Sequence, residues 1–258
     1  MNSDCLARKS HVPLTSSSPC ASGRKSIATE SVENYIKAIY ELAEEHGLDR
    51  VSTNVLAERL SVASPSVSAM VKRLNEERPA LINYESHRGV SLTEVGQRQA
   101  LEIIRHHRLL ETFLVQVLGY RWDEVHEEAE RLEHYISEKL EDRIAEYLGS
   151  PEYDPHGAPI PTKDGRIPRL HCMSLTGLPE GHTVKVLRVR NDEPGVLRYL
   201  TSLGIAPGVY IAVREKAPFD GPIHVRVGDV GHEIEHAIGL NIAEIILVQV
   251  PPELAQPD

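Results

Sequence analysis

Val125-His126-Glu127-Glu128-Ala129-Glu130-Arg131-Leu132-Glu133-His134, taken with His107-Arg108-Leu109-Leu110-Glu111 upstream, is the stretch from which the rest of the chain can be read. On an α-helix, residues three and four apart share a flank, so His126, Glu130, Glu133 and His134 are expected to project side by side. His107 and Glu111 do the same one helix earlier, across the expected turn Gly119-Tyr120-Arg121. His107 and Glu111 also fall in the angular sector of Ile103, Leu110, Leu114 and Leu118, the side that should be packed. Ionisable groups there need a partner. Six imidazole and carboxylate groups converging from two helices fit divalent metal binding, in which a cation offsets the cost of burying carboxylates. Taken singly, each position reads more plainly as a solvated glutamate or a structural histidine. The two His-x3-Glu pairs and the Glu133-His134 dipeptide in register favour the metal site.

Upstream, Val32, Tyr35, Ile36, Ile39, Tyr40, Leu42 and Ala43 repeat at helical spacing until His46-Gly47 ends the run. Val55 to Leu60 reads as a short second helix and Ser61-Val62-Ala63 as a tight turn. A third helix starts at Ser64-Pro65-Ser66, with Ser64 expected as its cap and Pro65 at its first position, where the missing N–H is harmless. Two short helices joined by such a turn are the plan of a helix-turn-helix. Leu81 to Tyr84, His87-Arg88-Gly89 and Val90-Ser91-Leu92 then read as strand, turn and strand, the wing of a winged helix. Ser64, Pro65, Ser66 and Ser68 are placed to approach phosphates or base edges, Lys72 and Arg73 to anchor on the backbone, and Arg88 to reach from the wing tip. The plain alternative is a helical hairpin that serves packing alone.

Thr93-Glu94-Val95-Gly96 is expected to cap a long helix to about Leu118, followed by one continuous helix from about Trp122 to Leu148. The latter carries an apolar stripe of Val125, Ala129, Leu132, Ile136, Leu140 and Ile144, suited to a dimer contact as well as a core. Past a Pro- and Gly-dense linker the periodicity becomes strand-like, at Thr183–Val189, Tyr210–Val213, His224–Val227 and Glu244–Val248, with a short helix at Val196–Leu203. The fold class expected is α+β: a mainly α N-terminal winged helix-turn-helix plus a helical dimerisation domain, then a small all-β SH3-like barrel. The boundaries expected are a disordered extension at 1–28, a DNA-binding domain at 29–95, and a helical metal-binding and dimerisation domain at 96–150. A linker at 151–172, the SH3-like domain at 173–251 and a tail at 252–258 complete the chain.

With 41% apolar residues, 258 residues can bury real cores, and 28 Lys and Arg against 38 Asp and Glu leave a net charge of −10. That balance argues against wholesale coating of nucleic acid but not against a local basic element. Residues 51–108 carry 8 basic against 6 acidic residues, a net of +2, and residues 109–150 carry 4 against 11, a net of −7. The first segment suits phosphates and the second suits cations. Cys5, Cys20 and Cys172 have no metal-type spacing, and together with the lack of a signal or membrane-spanning run they point to a reducing cytoplasm.

Four motifs in order, Tyr35-Ile36-x2-Ile39-Tyr40, the winged helix-turn-helix, His107 to Glu111 and Val125 to His134, carry a family resemblance, extended by Pro155-His156-Gly157-Ala158-Pro159-Ile160-Pro161. Residues 29–161 resemble the diphtheria toxin repressor and manganese transport regulator family of metal-dependent transcriptional repressors. The resemblance implies an ancillary metal site at His107, Glu111 and His126 and a primary site at Glu130, Glu133, His134 and Asn34. Asn34 stands where a Met or an Asp is often found, and Lys37 where the manganese-type branch has an acid; Asn34 offers a carbonyl oxygen, whereas a charged Lys37 cannot ligate. Glu130 stands where the iron-type branch has Cys, and oxygen in place of sulfur favours harder ions. The expected cofactor is therefore Mn(II), with Fe(II) next and Zn(II), Co(II) or Ni(II) as ions that bind in vitro. The C-terminal segment is similar to the SH3-like domain shared with ferrous-iron-transport A proteins, through Leu175-x2-Leu178-x2-Gly181, Leu200 to Gly208 and Pro218-Phe219-x-Gly221-Pro222. In long members that domain lends the ancillary site a ligand, matched here at Glu193.

The function expected is a metal-activated repressor of metal-homeostasis genes that binds double-stranded palindromic operator DNA as a homodimer, with no membrane and no small-molecule substrate as partner. It is not expected to be an enzyme. A dinuclear metallohydrolase would leave the winged helix idle and lacks a nucleophile set, and a hydrolase screen with Mn(II) discriminates it. A metal-independent winged-helix regulator is discriminated by operator binding with and without chelator. A metal-storage or iron-transport accessory would need the C-terminal module alone.

Overall fold

In the computed structural model, the residues described are 29–229 and 231–254, so the expected extension at 1–28 and the end of the C-terminal tail lie outside them. The first helix, α1 (Glu30–His46), presents Tyr35, Ile36, Ile39 and Leu42 to a core and stops at Gly47, whose φ of 60° is left-handed. Helix α2 (Thr53–Arg59) is capped by Ser52, whose hydroxyl accepts the Val55 N–H at 3.2 Å. Helix α3 (Ser64–Glu76) follows after the four residues 60–63. Its cap residue is Ala63 rather than Ser64; Ser64 and Pro65 form the first turn, and the Ser68 hydroxyl donates to the Ser64 carbonyl at 3.0 Å.

The wing is the antiparallel pair β1 (Ile82–Glu85) and β2 (Gly89–Leu92), joined by a turn with His87 at φ 64°. Val51 adds a bridge to Val90, with N–H to carbonyl distances of 2.8 and 2.9 Å in the two directions. These elements close one core with the start of α4 (Glu94–Leu118), which Thr93 caps by accepting the Gly96 N–H at 3.1 Å. Gly96 is required there: a Cβ would stand 1.9 Å from the Leu81 carbonyl oxygen, so only glycine lets α4 meet the base of the wing.

The single helix expected from about Trp122 to Leu148 is two, α5 (Val125–Leu132) and α6 (Glu138–Tyr147). Ser137 restarts the chain as a cap, its hydroxyl accepting the Leu140 N–H at 3.3 Å. The apolar spacing runs through the break, which is why periodicity alone misses it. The stripe divides accordingly: Val125, Ala129 and Ile144 are buried with Leu109, Leu110 and Leu114 of α4, whereas Leu132 and Leu140 are exposed. No helix among the described residues is long and apolar enough to cross a membrane.

The C-terminal region holds β3 (Cys172–Ser174), β4 (Thr183–Val189), α7 (Pro194–Ser202), β5 (Tyr210–Lys216), β6 (Ile223–Val227), β7 (Ile234–Ile238), α8 (Leu240–Ile245) and β8 (Ile246–Gln249). Its strands form one six-stranded antiparallel sheet in the order β3-β8-β4-β5-β6-β7. The whole is α+β, a winged helix-turn-helix and helical region followed by this SH3-like unit. Glu244 and Ile245, expected in a strand, close α8 instead, and β3 and β7 are additional to the expected strands. The sheet encloses its own apolar core, on which Trp122 of the helical region packs. The Trp122 indole N–H donates to the Thr201 hydroxyl at 2.8 Å, and its ring stacks on His156 at 5.6 Å.

Candidate metal centre and nucleic-acid interface

Helix α4 buries two adjacent histidines, and α5 brings a third to them. His107 Nε2 lies 3.0 Å from Glu111 Oε1 and 3.1 Å from His126 Nδ1, and His126 Nδ1 lies 3.3 Å from the same oxygen. A first-row divalent ion about 2.1 Å from each of three nitrogen or oxygen donors holds those donors about 3.0–3.4 Å apart, so the spacing fits such an ion. The donor set, two imidazoles and a carboxylate, suits Mn, Fe or Zn. Glu111 is 2% exposed and His107 6%. Burial favours their neutral forms, yet each holds the other charged: His107 is raised to about 9, chiefly by Glu111 and Glu133 acting against burial and Lys37, and Glu111 is held well below the usual carboxylate range.

Glu130, Glu133 and His134 gather on the other side of His107. Glu133 is the residue that ends α5, with its N–H on the Ala129 carbonyl, and it is fully enclosed. His107 Nδ1 contacts Glu133 Oε2 at 2.6 Å, so one imidazole touches both groups of carboxylates. The side chains reaching this second group from α1 are Lys37 and Glu33. The Lys37 ammonium donates to Glu130 Oε1 at 2.8 Å and to the two Glu133 oxygens at 2.9 and 2.8 Å, and lies 3.3 Å from His107 Nδ1. Burial pulls the Lys37 pKa down, but Glu133, Glu41 and Glu130 outweigh it and leave it raised. Glu33 accepts from His134 Nδ1 at 2.6 Å, and Glu30 accepts from the Tyr135 hydroxyl at 3.1 Å. Glu30, Glu33 and Lys37 thus form a polar edge of α1 at helical spacing against the 133–135 turn. Asn34, the α1 residue singled out from sequence, is half-buried beside that edge. With an ammonium at its centre the second group does not fit a bare ion while Lys37 stays in place.

Two further acids were not singled out from sequence. Asp192, in the loop before α7, has its carboxylate 3.4 Å from His126 Nε2, whereas Glu193 next to it is the cap residue of α7. Buried Asp154 and His156, in the linker, approach Glu111 to make a third possible ligand group. His156 donates from Nε2 to the Trp122 carbonyl at 2.8 Å, which leaves Nδ1 facing Glu111 Oε2 at 3.6 Å. The Asp154 Oδ1 accepts the His156 and Ala158 N–H groups at 2.8 and 2.9 Å, a turn that shapes the linker in any case. An acid two residues before a histidine, downstream of the ligand helices, is the signal that sequence offered for this group.

Arg105 of α4 donates to Glu141 of α6 at 2.5 Å and to the Pro161 carbonyl at 2.7 Å, and His106 Nε2 lies 3.3 Å from the same carboxylate. Burial pushes Glu141 up, but His106 and Arg105 bring it down to about 2. A folded value below the ordinary ~4.3 of free glutamate gives stability that is fully present above about pH 4.5 and is lost as pH falls toward 2. Glu141→Gln should therefore destabilise the protein by about 2–4 kcal/mol at pH 7, because it leaves the Arg105 charge without its carboxylate, with only the Pro161 carbonyl as partner among the described residues. In urea unfolding the gap from wild type should close between pH 5 and pH 2; a gap independent of pH would remove this pair from what joins α4 to α6.

On the outer side of the winged helix, Ser64, Pro65, Ser66, Lys72, Arg73 and Arg88 are exposed and Ser68 is half-buried. Arg88 is held at the wing by Glu85 at 2.9 Å, and Glu85 also accepts from Arg50 at 2.5 Å.

Three family models match the chain in order: iron dependent repressor, N-terminal DNA binding domain, at residues 28–90; iron dependent repressor, metal binding and dimerisation domain, at 93–162; and FeoA domain, at 173–250. The iron-dependent repressor IdeR of Mycobacterium tuberculosis is 36% identical over 227 residues, covering 81% of this chain and 96% of that protein. The diphtheria toxin repressor of Corynebacterium diphtheriae is 37% identical over 135 residues, 52% of this chain and 58% of that protein. Among solved structures, a manganese-dependent transcriptional repressor in complex with manganese is 41% identical with a TM-score of 0.76, covering 84% of this chain and 99% of that one. ScaR with bound Cd2+ is 31% identical with a TM-score of 0.70, covering 84% and 98%.

Proposed function

We propose, from the premise that this chain belongs to the iron-dependent repressor family and is a metal-responsive DNA-binding transcriptional repressor, that its switch is the contact of His107, Glu111 and His126. The observation that carries this reading is the triangle of donor atoms 3.0–3.3 Å apart on α4 and α5, in which His107 and Glu111 are buried, His126 is half-buried, and His107 also meets Lys37 of α1 at 3.3 Å. A bound divalent ion supplies positive charge that holds two imidazoles and a carboxylate together. His107 turns that into a signal, because its Nε2 faces the triangle and its Nδ1 faces Glu133. With Nε2 engaged, Nδ1 keeps its proton for Glu133, which fixes the ring and tightens Glu133 against α1. Helix α1 shares its core with α2, α3 and the wing, so its placement sets that of the recognition helix α3.

Mn(II) is the preferred ion, with Fe(II) next, since the set offers nitrogen and oxygen and no sulfur. Ser64, Ser66, Lys72, Arg73 and Arg88 face double-stranded operator DNA in the cytoplasm, and a homodimer reads a palindrome. Exposed Leu132, Tyr135, Leu140 and Tyr147 of the α5–α6 region supply apolar surface for pairing. A gel shift on the chain's own upstream DNA, with Mn(II), Fe(II), Zn(II) or chelator, tests the reading. At least tenfold tighter binding with Mn(II) than with chelator is expected, and equal binding would refute it.

A further inference from the structure

The second ligand group poses a question that the function above does not answer. Glu130, Glu133 and His107 meet at the junction of α1, α4 and α5 with ligand atoms close enough together for an ion, and all three turn toward the end of one lysine. Lys37 is 5% exposed and Glu133 1%, so this is not a surface ion pair formed in passing. The Lys37 ammonium nitrogen lies 2.8–2.9 Å from three carboxylate oxygens, one for each of its hydrogens. Oxygens placed at that distance from one centre are about 0.7 Å too far out for a first-row ion, whose oxygen contacts are about 2.1 Å. The cage has the size of an ammonium. Its donor is also covalently part of α1, the helix that the junction must hold.

We propose that Lys37 is a tethered cation: its ammonium takes the position at the α1–α4–α5 junction that a divalent ion would otherwise fill, clamping the junction in the metal-free chain. This rests on the reading that the chain is a metal-responsive repressor, and it specifies how that response is divided. Exchangeable metal acts at the His107–Glu111–His126 side, while the Glu130–Glu133 side is permanently loaded. The lysine side chain gives the α1 contact a charge that chelators cannot remove. The metal-free chain therefore retains part of its ordered α1 and part of its operator affinity, and the response to metal is a graded increase.

The test counts Mn(II) bound per full-length chain, by equilibrium dialysis with metal analysis, in wild type, Lys37→Ala and Lys37→Ala/Glu133→Gln. Lys37→Ala empties the cage and leaves its carboxylates, so it should bind one Mn(II) more than wild type, and the double variant should lose that extra ion. Lys37→Ala should also lose at least about tenfold of its metal-free operator affinity and regain it with Mn(II). Lys37→Met, which keeps the volume of the stem without the charge, serves as a second variant should the first not fold without metal; it should show the same metal-restored stability in thermal unfolding. An unchanged count in Lys37→Ala, or a wild-type count that falls by one in Glu133→Gln, overturns the proposal. Failure of the functional reading looks different: wild-type operator binding would then be indifferent to Mn(II), whatever the counts.

Discussion

A Glu111→Gln chain should need at least about 100-fold more Mn(II) than wild type for half-maximal operator binding, the scale on which ligands and their close supports govern metal affinity. Glu111 is where the site's contacts converge: His107 and His126 meet its Oε1, and His156 faces its Oε2. Glutamine keeps the volume and one acceptor oxygen but removes the charge. It also offers an N–H₂ group to imidazoles that have donors of their own. The three donor atoms then no longer balance a cation, and an uncompensated positive charge in a buried site is costly. Metal-free stability should fall as well, by about 1.5–3 kcal/mol, since hydrogen bonds to a charged group are lost. Two readouts separate these effects: thermal unfolding in chelator reports the packing, and the Mn(II) concentration at half-maximal gel shift reports the site. Should that concentration stay within threefold of wild type, Glu111 is a structural acid and the triangle is not the switch.

Much of this arrangement was legible in the chain because it depends on local chemistry. Thr93 caps α4 by a contact within three residues, Pro65 sits in a first turn, and the change from helical to alternating spacing at Ile82 marks the wing. His107 with Glu111, and His126 with Glu130, needed only the pitch of a helix. What was not legible depends on tertiary approach. The break at Glu133 to Ser137 hides under an apolar spacing that continues across it, so Glu133 and His134 look helical although they lie in a turn. Asp192 and Glu193 are adjacent acids before a helix, and only the path of the loop decides that Asp192 faces His126 while Glu193 takes the position just before α7. Lys37 was read as no ligand while charged, but nothing in its sequence neighbourhood says that its stem carries the ammonium into carboxylates 93 and 96 residues away.

Gly157→Ala should be severely damaging, and Gly181→Ala shows why, since both glycines have φ of +83°. At Gly181 an added Cβ meets nothing within 4 Å, so the cost is that of a left-handed backbone alone, about 1–2 kcal/mol. At Gly157 the same Cβ would lie 1.9 Å from the Leu187 carbonyl oxygen and 2.8 Å from the Arg188 Cα, both on the β4 backbone, which cannot rotate away. Overpacking then adds about 1–3 kcal/mol, unless the linker lifts from the sheet. Lifting would break the bond from the Val189 N–H to the His156 carbonyl, 2.9 Å long, and carry the His156 ring from its places on Trp122 and facing Glu111. A clash made 30 residues away in sequence is thus expected to reach the metal centre, with Mn(II) affinity down by about tenfold or more alongside the lower thermal midpoint. Gly181→Ala should leave that affinity within twofold. Equal Mn(II) affinities in the two variants would mean that the linker and the SH3-like unit do not bear on Glu111, and that the metal centre is built by α4 and α5 alone.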